Sequence, residues 1–448
     1  MARKSSHKPT TTTNKLAPRT LILDNGAHTI KAGFTSSATE PDVNNDCHII
    51  ANCIARSWRD KRTYVGSELL DECWDFGELA FRRPVERGFV VNWEGEKAVW
   101  ERSFVGQRSR LQCDPHETNL ILTEAPNAPA ALQRNADEMV FEEFEFATYY
   151  RTPSPSLNAY TPSPFLSPSP APGVPLECVL VIDVGHSHTT ITPLYNGRPI
   201  NPACRRLEIG GKTLTNHLKD LLSRKVEVKN EDWIVQEIKE DVCFVSGSSS
   251  FASDLERVWK GGLKDPRAVD TSIVVDYVLP DYETVKRGFA RPHNPNVSRK
   301  EQALGLDGGP REHIVTIGNE RFTVPELLFT PSDIGMQQDG LPGTILQSLH
   351  TLPEGLRQPF LANVLVVGGS SKFPGFVERL EAELRMLVSD EFVVRVGQAM
   401  DPVKNVWLGG ARLAQDEGLL KERVVTRQEH LEHGDVWTRR RFAGKVDR

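Results

Sequence analysis

The chain has 448 residues, which at about 150 residues per domain means three domains or two large ones with insertions, and excludes a small scaffold held by disulfides or a metal. A formal charge of −6 from 54 Lys and Arg against 60 Asp and Glu is too mild for a whole-chain polyanion binder or an acidic tail. Hydrophobic content of 39% falls below the roughly 45–50% of globular domains, so part of the chain lies outside any core.

Cysteine usage points to a reducing compartment, because the seven residues include no C-x-x-C pair and their number is odd. Neither a signal-peptide pattern nor an apolar run of membrane length is present. The expectation is a soluble intracellular protein with no membrane partner.

In chain order, residues 1–20 carry Arg3, Lys4, Lys8, Lys15 and Arg19 among Ser and Thr, a composition that predicts a disordered basic arm. Leu21-Ile22-Leu23 then enters Asp24-Asn25-Gly26 and a returning stretch through Lys31 to Phe34: strand, tight turn, strand. From 151 to 175 Pro recurs at every second or third place. That predicts a Pro/Ser-rich surface insertion crossed by neither helix nor central strand.

Val179-Leu180-Val181-Ile182-Asp183-Val184-Gly185 repeats the first strand-Asp-turn, followed by His186-Ser187-His188-Thr189-Thr190. Residues 214–222 and 376–387 carry helical spacing. Residues 286–312, rich in Arg, Lys, Gly and Pro, are expected to be a flexible segment. Val364-Leu365-Val366-Val367 runs into Gly368-Gly369-Ser370-Ser371-Lys372-Phe373, a strand meeting a Gly-rich turn. Strands alternating with helices indicate an α/β fold.

The duplicated turn carries the chemistry. Gly lets successive backbone N–H groups face one concavity, which attracts anions. An Asp at each strand end could hold Mg²⁺ through water, and Lys31 adds a cation. Asp183, His186 and His188 also suggest a transition-metal trio, although no fourth ligand is evident. Gly211-Lys212-Thr213 imitates a P-loop, but Arg206 stands where that motif needs Gly. Residues 185–189 lack the last Gly of a nucleophile elbow. Trp58, flanked by Arg56 and Arg59, is the candidate partner contact. Arg439-Arg440-Arg441 is either a phosphate-touching run or a solvated face.

Four further blocks complete a pattern: Pro84-Val85-Glu86-Arg87-Gly88, Phe141-Glu142-Glu143-Phe144, Thr316-Ile317-Gly318-Asn319-Glu320-Arg321-Phe322 and Val406-Trp407-Leu408-Gly409-Gly410. With them the chain resembles the actin and actin-related protein family from about Leu21 to near its C-terminus. Glu72-Cys73-Trp74-Asp75 with Arg83-Pro84, and the run Gly210-Gly211-Lys212-Thr213-Leu214, are similar to a nuclear class of that family, the sixth in its numbering. Members of that class are subunits of Swr-type chromatin remodellers, which exchange a variant H2A histone.

The resemblance implies an α/β, actin-like fold with two ribonuclease-H-like halves around a nucleotide cleft. Residues 21–150 and 403–448 would form one half, with a reduced small subdomain at 46–80. Residues 176–402 would form the other, with an insertion subdomain at 208–310. It also implies ATP or ADP with Mg²⁺ as a structural ligand and no catalytic residue. Asp24, Asn25, Gly26 and Lys31 would lie on the first turn, Asp183 and Gly185 on the second, and Lys239, Glu240, Gly368, Gly369 and Phe373 around the nucleoside. Asp24 and Asp183 would hold the Mg²⁺ through water. The implied partners are remodeller subunits, with nucleosomal histones reached through the complex and direct DNA contact left open. The implied location is the nucleus, with a cytoplasmic pool.

Three departures from actins shape the expected activity. His186 stands where actins carry a second Asp, and Ala27-His28 where they carry small residues. The Gln that orients the attacking water in actins falls near Ser154, inside the Pro-rich stretch, so hydrolysis is expected to be very slow or absent. Residues 55–62 are short and charged where actins have a long filament-inserting loop, so no filament is expected. The alternatives are a cytoskeletal actin-related protein and an active ATPase of the superfamily.

Overall fold

The computed structural model describes residues 16–35, 40–106, 109–166, 170–227, 231–258, 270–294 and 312–444. Most of the expected basic arm and residues 295–311 of the expected flexible segment lie outside the described residues. Two six-stranded sheets organise the rest. In the first, the strands run in the order Val425–Thr426, Thr148–Pro153, Thr118–Glu124, Arg19–Asn25, Thr29–Thr35 and His48–Ala51. Arg19–Asn25 pairs antiparallel with Thr29–Thr35, setting Asp24 opposite Lys31, and parallel with Thr118–Glu124.

In the second sheet the path is Arg198–Pro199, Thr189–Tyr195, Cys178–Val184, Val364–Val367 and Val396–Gln398, with Arg205–Leu207 also on Thr189–Tyr195. Cys178–Val184 repeats the arrangement of the first sheet: antiparallel to its returning strand, with Asp183 opposite Thr190, and parallel to Val364–Val367.

Alternation along each central strand explains how the sheets share one interior. Leu21 and Leu23 face a cluster with Trp100, Phe104 and Phe141, while Ile22 faces the other way, as a period of two requires. Leu180, Ile182 and Val184 turn to a second outer cluster, whereas Val179 and Val181 join Ile22. That shared middle layer is centred on the helix Asn405–Ala414, with Val406, Trp407 and Ala411 buried in it. Its two glycines are steric necessities. A Cβ on Gly409 would lie 1.9 Å from the Leu157 carbonyl oxygen, and one on Gly410 would lie 2.8 Å from Ile22.

The Pro-rich stretch requires a correction. Thr148–Pro153 is an internal strand, paired on one side with Thr118–Glu124 and on the other with Val425–Thr426. A short helix, Ser154–Leu157, and the 3-10 turn Asn158–Tyr160 follow, both buried under the Asn405–Ala414 helix. The prolines do not block this, because Pro153 ends the strand and Pro155 sits in the first helical turn, where no N–H is needed. Asn405 Nδ2 donates to Asn158 Oδ1 at 2.7 Å and fixes the segment. A second correction falls within 286–312, where Phe289–Pro292 pairs with Val275–Val278. Four mostly exposed residues carry too little alternation to be recognised.

The small subdomain expected at 46–80 is a three-stranded sheet of Thr63–Val65, Ile54–Ser57 and Leu79–Arg82, ending two residues later than expected, over Cys53, Ala55, Tyr64 and Leu69. Trp58 follows its middle strand and is 53% exposed, with Lys61 Nζ 5.4 Å from the ring centre. All seven cysteines are free thiols. Among the described residues, no helix is long and apolar enough to cross a membrane.

Candidate functional site

The ends of Arg19–Asn25, Cys178–Val184 and Val364–Val367 open on one cavity of roughly 660 Å³, a size suited to a small-molecule ligand. On its wall lie Asp24, Asn25, Gly26 and Lys31 from the first turn and Asp183 and Gly185 from the second. Lys239, Glu240, Gly368, Gly369 and Phe373 complete the set named from sequence. Trp58 is not on this wall.

The floor is ionic. Lys31 Nζ lies 3.1 Å from Asp24 Oδ2, and Asp24 Oδ1 accepts from Thr123 Oγ1 at 3.0 Å. The same Thr123 oxygen accepts from the Asn25 N–H at 3.0 Å, so the first turn is tied to the neighbouring strand. Burial opposes the Lys31 charge, but Asp24 outweighs it and holds the ammonium above its ordinary value. Among the described residues Asp183 has no comparable partner. Burial, reinforced by the Asp24 charge, pushes its carboxyl up to about 6.

Above this floor the two turns meet through their histidines. The His28 and His186 rings stack with centroids 4.6 Å apart and planes at 27°. Gln236, from the helix Asp232–Val242, lies 2.8 Å from His28 Nε2. Burial, then the Arg83 charge, sets both imidazoles well below their ordinary value.

His188 lines the same cavity but packs against Gly88. A Cβ on Gly88, whose φ is +86°, would meet its Cε1 at 2.3 Å, which accounts for the Gly of the Pro84–Gly88 block. Burial, then Arg206, lowers the His188 imidazole to about 4. His186 and His188 therefore do not converge as a metal trio with Asp183, because residues 185–188 form a turn and not an extended strand. Among the described residues no group of three or more His, Cys, Asp or Glu side chains could hold a metal ion.

On the opposite wall, Lys239 is turned inward. Its ammonium donates to Thr215 Oγ1 at 2.8 Å and to the Gly211 carbonyl at 3.2 Å, joining two helices, and burial lowers its pKa. Gly368, with φ +91°, allows its strand to end against the second turn, since a Cβ there would lie 2.5 Å from the Val184 oxygen. Gly369 has nothing within 4 Å of its Cβ position and leaves that wall open. Ser154 also lines the cavity, held at the start of a buried helix. Its environment is thus fixed, contrary to the sequence expectation, and what it lacks is the Gln side chain.

Sequence reasoning missed Thr123, Arg83 and Gln236. Gln236 had a signal, because Trp233, Gln236, Glu237 and Glu240 share one helical face and all four line the cavity. Thr123 lies on a separate strand and had none, and the Arg83-Pro84 block carried a resemblance but no sign that Arg83 acts on the cleft.

The Actin family model matches residues 16–233 and 226–443. The chain is similar to "Actin-like protein arp6" of Aspergillus fumigatus, 47% identical over 98% of this chain and 99% of that protein. It is similar to "Actin-related protein 6" of Neurospora crassa, 47% identical over 95% and 94%. "Actin-related protein 6" of Drosophila melanogaster is 36% identical over 95% and 98%. Both sheets, the shared middle layer and these matches lead to one conclusion: the chain belongs to the actin family, with an actin-like α/β fold, and within that family it is similar to actin-related protein 6.

Proposed function

We propose that this actin-related protein is a non-polymerising structural subunit of a Swr-type, ATP-dependent chromatin remodeller that exchanges a variant H2A histone. The reading rests on similarity to actin-related protein 6 and on one structural observation, the His28–His186 stack between the two turns. Phosphoryl transfer depends on placing a water and a metal. Here the second turn offers an imidazole in place of a carboxylate, and Ser154 replaces the amide that would hold the water, so the chain contributes no catalysis.

The cavity suits a nucleotide in part. Among the described residues Asn25 Oδ1 and Thr190 Oγ1 are buried on its wall without partners, and the Gly369 wall is open. An adenine nucleotide would be held by the Gly26, Gly185 and Gly369 backbone, with Asp24 and Asp183 on the waters of Mg²⁺. Its contribution is stability, since a ligand of the folded state alone shifts folding by mass action.

Partner contact falls to the exterior. The turn after Ile54–Ser57 presents Trp58, while Arg59 pairs with Asp75 and Arg62 with Glu72 within the same subdomain. A short loop tied back by these two ion pairs does not reach into a filament neighbour. The assembly acts in the nucleus, with a cytoplasmic pool, and reaches nucleosomal histones through its other subunits. Native pull-down of the tagged full chain from nuclear extract, with mass spectrometry, should recover a remodeller motor and a variant H2A. Recovery of no chromatin protein overturns the proposal.

A further inference from the structure

The space between the two turns is already filled. Rings with centroids 4.6 Å apart are in van der Waals contact, carbon contacts being about 3.5–4.0 Å, so no phosphate group fits between them. The pair is fixed from both halves. Gln236 meets His28 Nε2, and the start of the Gly211–Leu222 helix backs His186, a Cβ on Gly211 lying 3.6 Å from its Nδ1.

Charged groups face the pair from every side: Arg83, Lys31, Lys239 and Lys212 are cations, and Asp24 and Asp183 lie on the floor. Burial and these cations keep both rings neutral, so they offer no charge to offset another phosphate. An anion chain lying against the turn backbones meets the rings where the two turns come together.

We infer that the His28–His186 pair shortens the anion site, so that the cleft takes a nucleoside diphosphate and excludes the triphosphate. This rests on the nucleotide reading above and adds a selectivity obtained by obstruction. Rotating the rings away would forfeit the stack and the Gln236 contact, and this penalty falls only on the longer ligand.

The test is isothermal titration of the nucleotide-stripped full chain with ADP and with ATP, each with Mg²⁺. ADP should bind at least about tenfold more tightly than ATP. In His28→Gly/His186→Asp, which empties the space between the turns and returns a carboxylate, the ratio should fall below about threefold. Equal or tighter ATP binding by the wild type overturns the inference, as does an unchanged ratio in the double variant with native circular dichroism. If the double variant does not fold, His28→Gln carries the comparison, and an unchanged ratio there overturns it equally. Failure of both nucleotides to bind either wild type or variant is distinguishable, because it overturns the nucleotide reading itself. Binding by the double variant alone shows a cleft closed to both ligands and contradicts diphosphate selectivity.

Discussion

The two strand-Asp-turn hairpins share a backbone and differ in charge. In the first, Asp24 is paired with Lys31 at 3.1 Å and accepts from Thr123. In the second, Asp183 faces Thr190 across its ladder and is pushed up to about 6 by burial and by Asp24. A duplicated fold element has thus kept its register while its carboxylates moved to different electrostatic states. Lys31 serves both, directly for Asp24 and through space for Asp183.

That shared role gives the largest expected effect. Lys31→Ala leaves the buried Asp24 and the half-buried Asp183 carboxylates without that cation, and the cost should be about 3–5 kcal/mol, read by urea denaturation at pH 7. A loss below about 1 kcal/mol would show that the floor is solvated and would erase the contrast between the hairpins.

Asp24→Asn and Asp183→Asn should then differ from each other. The first strips Lys31 of its partner and should destabilise by about 2–3 kcal/mol. The second removes a charge that burial already disfavours, so the change should be within about 1 kcal/mol of zero. Equal losses in the two variants would contradict the assignment of different electrostatic surroundings.

Part of this contrast was legible in the sequence and part was not. The two hairpins are visible because apolar runs end in Asp and a Gly turn at both places. The strand Thr148–Pro153 was hidden, since Pro153 and Pro155 count against regular structure although each occupies a position that needs no N–H. All eleven residues named for the cleft from motif resemblance line one cavity. The His28–His186 stack was out of reach because the two rings belong to separate halves, and no local spacing encodes a contact made only when the sheets close together. The contact between Gln236 and His28 has the same character.

A smaller effect concerns pH. His28 and His186 are held below their ordinary value, so below about pH 6.5 the unfolded chain binds protons that the folded chain does not. These groups stabilise the fold above that pH, and their contribution is lost as pH falls through the folded values. Glu96 and Asp137, both pushed up to about 7 chiefly by burial, act in the opposite sense, as does Asp183. The difference between wild type and His28→Gln/His186→Gln isolates the histidine part. The wild type should lose more melting temperature than the variant between pH 7.5 and pH 5.5, and parallel curves would contradict neutral rings.

The smallest stability change is expected at Trp58→Ala, within about 0.5 kcal/mol for an exposed site outside the cleft, accompanied by reduced co-purification with the assembly. Undiminished recovery of partners would remove Trp58 from the contact surface and leave the cleft comparison untouched.

Steady-state phosphate release from saturating Mg-ATP by the purified full chain tests the non-catalytic account most directly. The control is Gly369→Trp, which fills the open wall. A wild-type rate no higher than that control is expected, and sustained turnover above it would contradict the account.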